Sequence, residues 1–184
     1  IDDQSHKFKM DIVRIGCLGH SIGNKWNDDI PKLIQRVNKK YNYNVIWDFM
    51  GMNRDVSKHI KDIPNVIIRN TFDIPVNEFL NGIHIFLFYP SWGRQEPFCR
   101  VNVEAMVSGC PVLATDIDGG NRMQVFNGCN GYLCNSIDMF QNRLEYLLDN
   151  PDKIIQLGKN GARYAKLFWS HEVIAFKLLN IIRS

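Results

Sequence analysis

The sequence predicts an α/β fold in which a Rossmann-like parallel sheet is flanked by helices. Short apolar runs alternate along the 184 residues with longer segments whose apolar residues recur at helical spacing. The short runs are apolar throughout, as expected of strands that are buried on both faces of a parallel sheet. No linker, internal repeat or block of like charge divides the chain, so we expect one domain.

The first half of the chain carries three predicted strands and two predicted helices. The strands are expected at residues 12–18, 45–49 and 66–68. Gly19 and Gly51 close the first two of them. Apolar residues at helical spacing predict a helix over residues 31–41, and a short helix is expected at residues 76–80.

The second half of the chain continues the alternation. Strands are expected at residues 83–88 and 112–114, and helices at residues 98–107, 153–168 and 171–182. Gly109 and Pro111 mark the end of the first of these helices, because glycine accepts the left-handed conformation and proline does not continue a helix. Asn150 and Pro151 mark the start of the next helix, as an N-cap followed by proline at the first helical position.

Charge, hydropathy and cysteine usage exclude several classes of protein. The 22 lysines and arginines and the 19 acidic residues leave a net charge of +3, far from the basic stripe of a nucleic-acid-binding protein. No apolar run approaches the roughly 20 residues of a membrane-spanning helix, and the start of the chain lacks the apolar core of a signal peptide. The five cysteines contain no Cys-x-x-Cys pair, which favours a reduced intracellular protein without structural zinc.

Ligands of parallel α/β sheets bind beyond the carboxyl ends of the strands, and the first such segment runs from Gly19 to Lys25. Its sequence, GHSIGNK, matches neither the G-x-G-x-x-G dinucleotide fingerprint nor a P-loop, which argues against a dehydrogenase. Lys25 stands near the start of a helix, where a cation opposes the helix dipole unless an anion offsets it. Phosphate binding and an ordinary turn both stay open for this segment.

The segment at residues 90–106 carries two carboxylates near a predicted helix start. Glu96 lies in the loop, whereas Glu104 lies inside the helix on a side that we expect to be buried and therefore to need partners. The first-turn amides are donors for an anion, and they belong to Phe98, Cys99, Arg100 and Val101. Carboxylates beside a phosphate site accept hydrogen bonds from hydroxyls, so the implied ligand is a diphosphate flanked by polyols, as in a nucleotide-sugar.

Other interpretations of these residues stay open. A surface Glu96 with a structurally paired Glu104 explains the same spacing, and paired carboxylates also serve glycoside hydrolases. In the loop after the strand at residues 112–114, Gly119 and Gly120 allow either close approach of the backbone to a ligand or a tight turn.

Taken in order, these motifs resemble the C-terminal, donor-binding domain of family-4 retaining glycosyltransferases, which have the two-domain GT-B fold. Glu96 and Glu104 provide two glutamates with seven residues between them in EPFCRVNVEAM, and SGCPVLATDIDGG and NGCNGYL follow. The tail LFWSHEVIAFKLLNII is similar to the family's closing segment and last helix. The resemblance implies a nucleotide-sugar-binding domain over residues 11–184, with residues 1–10 as a remnant of the interdomain linker; the missing initiator Met fits a cut at that junction.

Position by position, the resemblance implies a role for each candidate residue. Lys25 falls on the basic residue that contacts the donor diphosphate, Glu96 on the glutamate that contacts the donor sugar, and Glu104 on the one that holds the ribose. We therefore expect Glu96 and Lys25 to be the catalytic residues. The other donor-binding positions implied are Gly19, His20, Phe98, Cys99, Arg100, Val101, Gly119 and Gly120.

Three residues depart from the family's pattern. His20 stands where Arg is common, which replaces a permanent charge by one that is mostly neutral at pH 7. Cys99 stands where Gly is usual and narrows the space beside the phosphates. Met123 stands where a glutamate often follows the glycine pair, and Gln124 is the neighbour expected to take over its role.

The activity implied is transfer of a sugar from a nucleoside-diphosphate sugar, such as a UDP- or GDP-sugar, to an acceptor hydroxyl with retention of anomeric configuration. We expect no cofactor and no metal, although Asp116-x-Asp118 has the spacing of a metal-binding pair. The acceptor would be a glycan, a lipid-linked molecule or a protein, and no nucleic acid is expected as a partner. The acceptor would bind through the N-terminal domain missing from this chain, so we expect the isolated chain to be inactive. The expected location is cytoplasmic, with any contact to a membrane surface made by the missing half.

Two alternative functions keep the same fold. An inactive module that holds a nucleotide-sugar without turnover is favoured by the three departures and by the missing acceptor half. A nucleotide-sugar epimerase of GT-B architecture would need a catalytic acid and base acting on the sugar, and the sequence offers no convincing pair.

Overall fold

A single parallel sheet of six strands forms the centre of the protein. The computed structural model describes residues 12–20, 25–42, 44–93, 97–117 and 119–183. The strands are β1 (Val13–Leu18), β2 (Val45–Met50), β3 (Val66–Arg69), β4 (Ile85–Phe88), β5 (Val112–Thr115) and β6 (Gly131–Cys134), in the order β3-β2-β1-β4-β5-β6. Every neighbouring pair is parallel. The predicted Rossmann-like α/β class is confirmed.

Helices connect the strands and cover both faces of the sheet. They are α1 (Ile30–Tyr41), α2 (Arg54–Ser57), α3 (Val76–Asn81), α4 (Arg100–Val107), α5 (Gly120–Gln124), α6 (Ile137–Asp149), α7 (Pro151–Trp169) and α8 (His171–Arg183). Leu33, Phe140 and Leu157 belong to the core on one face, which brings in α1, α6 and α7. Phe79 and Met106 belong to the core on the other face, with α3 and α4. Within the described residues, no helix is long and apolar enough to cross a membrane.

Four elements of the fold were not predicted from the sequence: α2, α5, β6 and α6. Strand β6 is short and opens with Gly131, where a side chain would overlap the Val112 carbonyl of the adjacent strand. Helix α6 did have a signal, because Ser136 is its N-cap and accepts a hydrogen bond from the amide of Met139.

One boundary matters for the site. The helix predicted at residues 98–107 begins at Arg100, because Cys99 has an extended backbone, with φ of −93° and ψ of 93°, and acts as the N-cap. Its predicted end is confirmed, since Gly109 follows with a φ of 75°. Of the four residues predicted to offer first-turn amides, Arg100 and Val101 therefore lie in the helix, whereas Phe98 and Cys99 precede it.

Candidate functional site

A cavity of about 350 Å³ opens at the carboxyl ends of β1 and β4. The strand order reverses between these two strands, and the crevice at such a reversal is where ligands of open α/β sheets bind. Eight residues predicted for the site line it: Gly19, His20, Lys25, Phe98, Cys99, Arg100, Val101 and Glu104. The structure thus brings together residues that are up to 85 positions apart in the sequence.

Gly19 and His20, the two described residues directly after β1, contact the indole of Trp26, a role that no sequence motif indicated. Its Nε1–H donates to the carbonyls of His20 at 3.0 Å and Gly51 at 3.1 Å, and its side chain is buried. Gly19 lies against the same ring, since a Cβ there would be 3.0 Å from the indole. The amide of Gly19 donates to the carbonyl of Met50 at 3.0 Å. The residues that directly follow β1 and β2 are therefore packed together through Trp26.

Asn27 connects the start of the segment before α1 to the segment after β4. This role was not predicted from the sequence. Its Nδ2 donates to the carbonyl of Pro90 at 2.9 Å, and its amide donates to the carbonyl of Tyr89 at 3.1 Å. Ser91 Oγ donates back to the carbonyl of Trp26 at 2.9 Å. No sequence signal indicated this role, because it depends on the burial of Asn27, whose polar atoms need partners when buried. These bonds place Lys25 next to the segment after β4.

The amino end of α4 presents backbone amides to the cavity. Arg100 and Val101 occupy its first two positions, where amides have no intrahelical acceptor and the helix dipole favours negative charge. The first turn contains no acidic residue that would neutralise this end. Phe98, just before the helix, packs edge-on against the Trp169 ring with centroids 4.9 Å apart. With Lys25 in the same lining, this end of the cavity is suited to a phosphate.

Glu104 is not buried as predicted. Its side chain is 38% exposed, and its Oε1 lies 3.2 Å from Nε of Arg100, four residues earlier. The reason is that Arg100 and Val101 line the cavity, and Glu104, four and three residues later, lies on the same side of α4. Because the Arg100 side chain is 87% exposed, the pair is screened by water and the carboxylate can exchange this partner for a ligand hydroxyl.

The remaining candidates do not contribute to the described lining. Glu96 and Asp118 lie outside the described residues. Gly119 has a φ of 118° and a ψ of −144°, a conformation available almost only to glycine, and Gly120 is buried as the first residue of α5. Both follow β5 rather than β1 or β4. The described cavity lining does not include the glycine pair, so its contact with a donor stays a prediction.

A buried amide cluster links α4 to this glycine turn. Asn102 Nδ2 donates to Oδ1 of Asn121 at 2.9 Å and to Oε1 of Gln124 at 3.3 Å. Asn121 Nδ2 donates in turn to the carbonyl of Thr115 at 2.9 Å. Gln124 is fully buried in this cluster, so the expectation that it takes the role of Met123 beside a ligand is wrong.

Cys17 and Asp116 lie outside the cavity lining. Burial raises the pKa of the Cys17 thiol to about 12, and the neighbouring Cys99 adds to the rise while a backbone hydrogen bond from Tyr89 opposes it. The thiol is therefore protonated at neutral pH and is not a nucleophile. Asp116, one half of the possible metal pair, accepts a hydrogen bond from Nε of Arg122 at 2.7 Å.

Comparison with known proteins gives a family. The family model described as glycosyl transferases group 1 matches residues 32–164. A D-inositol 3-phosphate glycosyltransferase from Gordonia bronchialis is 39% identical over 85 residues, which cover 45% of this chain and 18% of the relative. This chain spans about a quarter or less of the length of the first curated relatives that it matches.

Solved structures share the fold. TarM from S. aureus, crystallised with fondaparinux, alpha-GlcNAc-glycerol and UDP, superposes with a TM-score of 0.83 at 23% identity, covering 95% of this chain and 36% of TarM. The C-terminal domain of LpcC, a glycosyl transferase group 1 family protein from Francisella tularensis, superposes with a TM-score of 0.75 at 17% identity, covering 93% of this chain and 95% of that domain. At these identities the similarity establishes the fold alone.

Proposed function

Because this chain belongs to the glycosyl transferases group 1, we propose that its cavity binds a nucleoside-diphosphate sugar. The chain would be the donor-binding half of a GT-B glycosyltransferase of family 4, acting with retention of anomeric configuration. The observation that carries the proposal is the meeting of Lys25, the α4 amino end and the accessible Glu104 carboxylate in one cavity.

The diphosphate would bind between Lys25 and the first-turn amides of Arg100 and Val101. Negative charge develops on the diphosphate oxygens as the sugar leaves, and fixed donors and a cation aimed at those oxygens stabilise it. These groups are held in place before the ligand arrives, because Trp26 and Asn27 tie the Lys25 segment to both flanking loops. No metal ion or cofactor is required for this stabilisation.

The ribose would bind to Glu104, whose carboxylate accepts hydrogen bonds from vicinal hydroxyls. Arg100 now occupies one carboxylate oxygen, and its exposed side chain can swing aside. We propose from the sequence motif that Glu96 orients the donor sugar. The acceptor would be held by a second domain, so the isolated chain would bind the donor without transferring its sugar.

Calorimetric titration of the chain with UDP-, GDP- and ADP-sugars tests the proposal. We expect one of the three donors to bind, Lys25→Ala to weaken binding through the phosphates, and Glu104→Ala to weaken binding of the nucleotide-sugar while sparing pyrophosphate. Lys61→Ala and Asp152→Ala remove exposed charges outside the cavity lining and serve as controls. Failure of all three donors to bind would overturn the proposal.

A second candidate is a module that binds the donor but never turns it over. The specific observation in its favour is His20, which puts an imidazole in the lining where the family commonly has a permanently charged side chain. Joining the chain to the upstream region of its own protein and assaying release of the nucleoside diphosphate separates the two candidates. Turnover supports the transferase, and tight donor binding with no turnover supports the module.

A further inference from the structure

Phe72 is held in an unfavourable conformation at the rim of the cavity. Its side chain is 68% exposed and its φ is 65°, in the left-handed region that a bulky residue rarely adopts. Both features work against stability, since an exposed aromatic ring gains little from burial and the backbone is strained. Such strain is retained where the surrounding structure over-determines it and is concentrated at ligand sites.

A short turn after β3 fixes this conformation. The amide of Asn70 donates to Oδ2 of Asp73 at 2.6 Å, and Asn70 Nδ2 lies 3.3 Å from Oδ1 of the same carboxylate. The amide of Asp73 donates back to the carbonyl of Asn70 at 3.3 Å. The Phe72 ring packs edge-on against His20, with centroids 6.2 Å apart and planes 71° apart. The ring is therefore positioned without a ligand, as part of the lining.

The cavity combines two kinds of surface. Lys25 and the amino end of α4 favour an anion, whereas Phe72 and Val76 present apolar surface from the turn after β3 and the start of α3. A ligand that fits both has a charged group and a flat ring in one molecule. Of the parts of a nucleotide-sugar, only the base is a flat aromatic ring.

From this we infer that Phe72 stacks on the base of the bound nucleotide and sets much of the affinity for it. The inference rests on the proposed function and extends it, since it assigns the contact that holds the base to a residue that no motif singled out. Stacking accepts the face of every base and rewards larger ring systems, so Phe72 favours purine and pyrimidine nucleotides over ligands that lack a base.

Titration of the full chain with pyrophosphate and with the nucleoside diphosphate that the wild type binds, called UDP below, separates the base from the phosphates. We expect Phe72→Ala to weaken UDP binding about 5- to 150-fold, the range for removal of a base-stacking aromatic side chain, and to leave pyrophosphate binding unchanged. Phe72→Trp should retain UDP affinity. Phe72→Leu, which keeps apolar bulk without a ring, should lose it as Phe72→Ala does. Phe176→Ala removes a ring of similar exposure, 65%, from α8 outside the lining and is the control.

The outcomes separate this inference from the proposed function. If wild-type chain binds UDP and Phe72→Ala binds it equally well, the stacking contact is refuted while the nucleotide site stands. If Phe72→Ala loses UDP and pyrophosphate to the same extent, the ring only shapes the phosphate site and the inference is again wrong. If the wild-type chain binds none of UDP, GDP and ADP, the proposed function fails and the inference fails with it.

Discussion

Removing the indole N–H of Trp26 should both destabilise the protein and loosen the cavity. This group donates to the carbonyls of His20 and Gly51, at 3.0 and 3.1 Å, from a side chain that is only 1% exposed. Trp26→Phe leaves the two carbonyls without this donor and replaces a buried double ring by a single one. The loop that carries Lys25 then loses its attachment to the turn after β2.

The cost can be worked from these contacts. Each lost hydrogen bond costs about 0.5–1.5 kcal/mol, and the volume left by the smaller ring costs about 1 kcal/mol, giving a total of about 2–4 kcal/mol. For a domain of this size, each kcal/mol lowers Tm by roughly 2–4 °C. Trp26→Phe should therefore lower Tm by roughly 4–16 °C and weaken UDP binding.

Trp47→Phe is the matched control. Its indole is also fully buried, and its Nε1 donates to Oδ1 of Asn38 at 3.1 Å, away from the cavity lining. Thermal melts and urea unfolding should show a loss of stability for both variants, and calorimetry should show a loss of UDP affinity for Trp26→Phe alone. A wild-type Tm for Trp26→Phe, or an equal loss of affinity in both variants, would refute the assigned role of Trp26.

Three further predictions concern stability. Phe72→Gly should raise the free energy of unfolding by about 0.5–1 kcal/mol, because relief of a left-handed residue, worth about 1–2 kcal/mol, exceeds the entropy cost of glycine; urea unfolding that shows a decrease would contradict the strain at φ 65°. Asn102→Ala should lower the free energy of unfolding by about 1–3 kcal/mol, because it leaves two buried oxygens without their donor. Asn160→Ala removes an exposed hydrogen bond and is the control. It should change the free energy of unfolding by less than about 0.5 kcal/mol. The Cys17 thiol should make the protein less stable at alkaline pH. Burial raises the pKa of this thiol from 9.0 to about 12. Above pH 9 the thiol therefore loses its proton in the unfolded protein and keeps it in the folded protein. Stability should fall by about 1.4 kcal/mol per pH unit for this thiol, and urea unfolding of Cys17→Ala between pH 8 and pH 11 should show a shallower decline than wild type.

The lining of the cavity could be predicted where residues belong to the segments that follow β1 and β4. Gly19, Lys25 and Glu104 were expected at one site because parallel strands bring their carboxyl ends to one edge of the sheet, and because these segments resemble the motifs of a known family. Trp26 and Phe72 could not be found in the same way. Trp26 acts through Gly51, 25 positions later, and Phe72 contacts His20, 52 positions earlier. The role of Phe72 also depends on its positive φ, which the sequence does not show.

Burial was the property least accessible from the sequence. Helical periodicity placed Glu104 on the apolar side of a helix, but periodicity gives a direction around the axis and no information on what lies opposite. In the structure, the side of α4 that carries Glu104 also carries Arg100 and Val101, and it faces the cavity. The same limit explains Gln124, whose polarity suggested a ligand contact while its amide is fully buried beside Asn102.

The departure from the family's pattern at Cys99 can be tested for its effect on the proposed phosphate site. A glycine at this position is required only if the backbone is left-handed or if a side chain would block the ligand. The backbone here has a φ of −93° and a ψ of 93°, which any residue adopts, and the side chain is only 5% exposed. The thiol is thus mostly packed within the protein, and the amides of Arg100 and Val101 come after it at the amino end of the helix. The substitution therefore costs no backbone strain, and Cys99→Gly should leave pyrophosphate affinity within about twofold; a tenfold gain in calorimetry would mean that the thiol obstructs the phosphates after all.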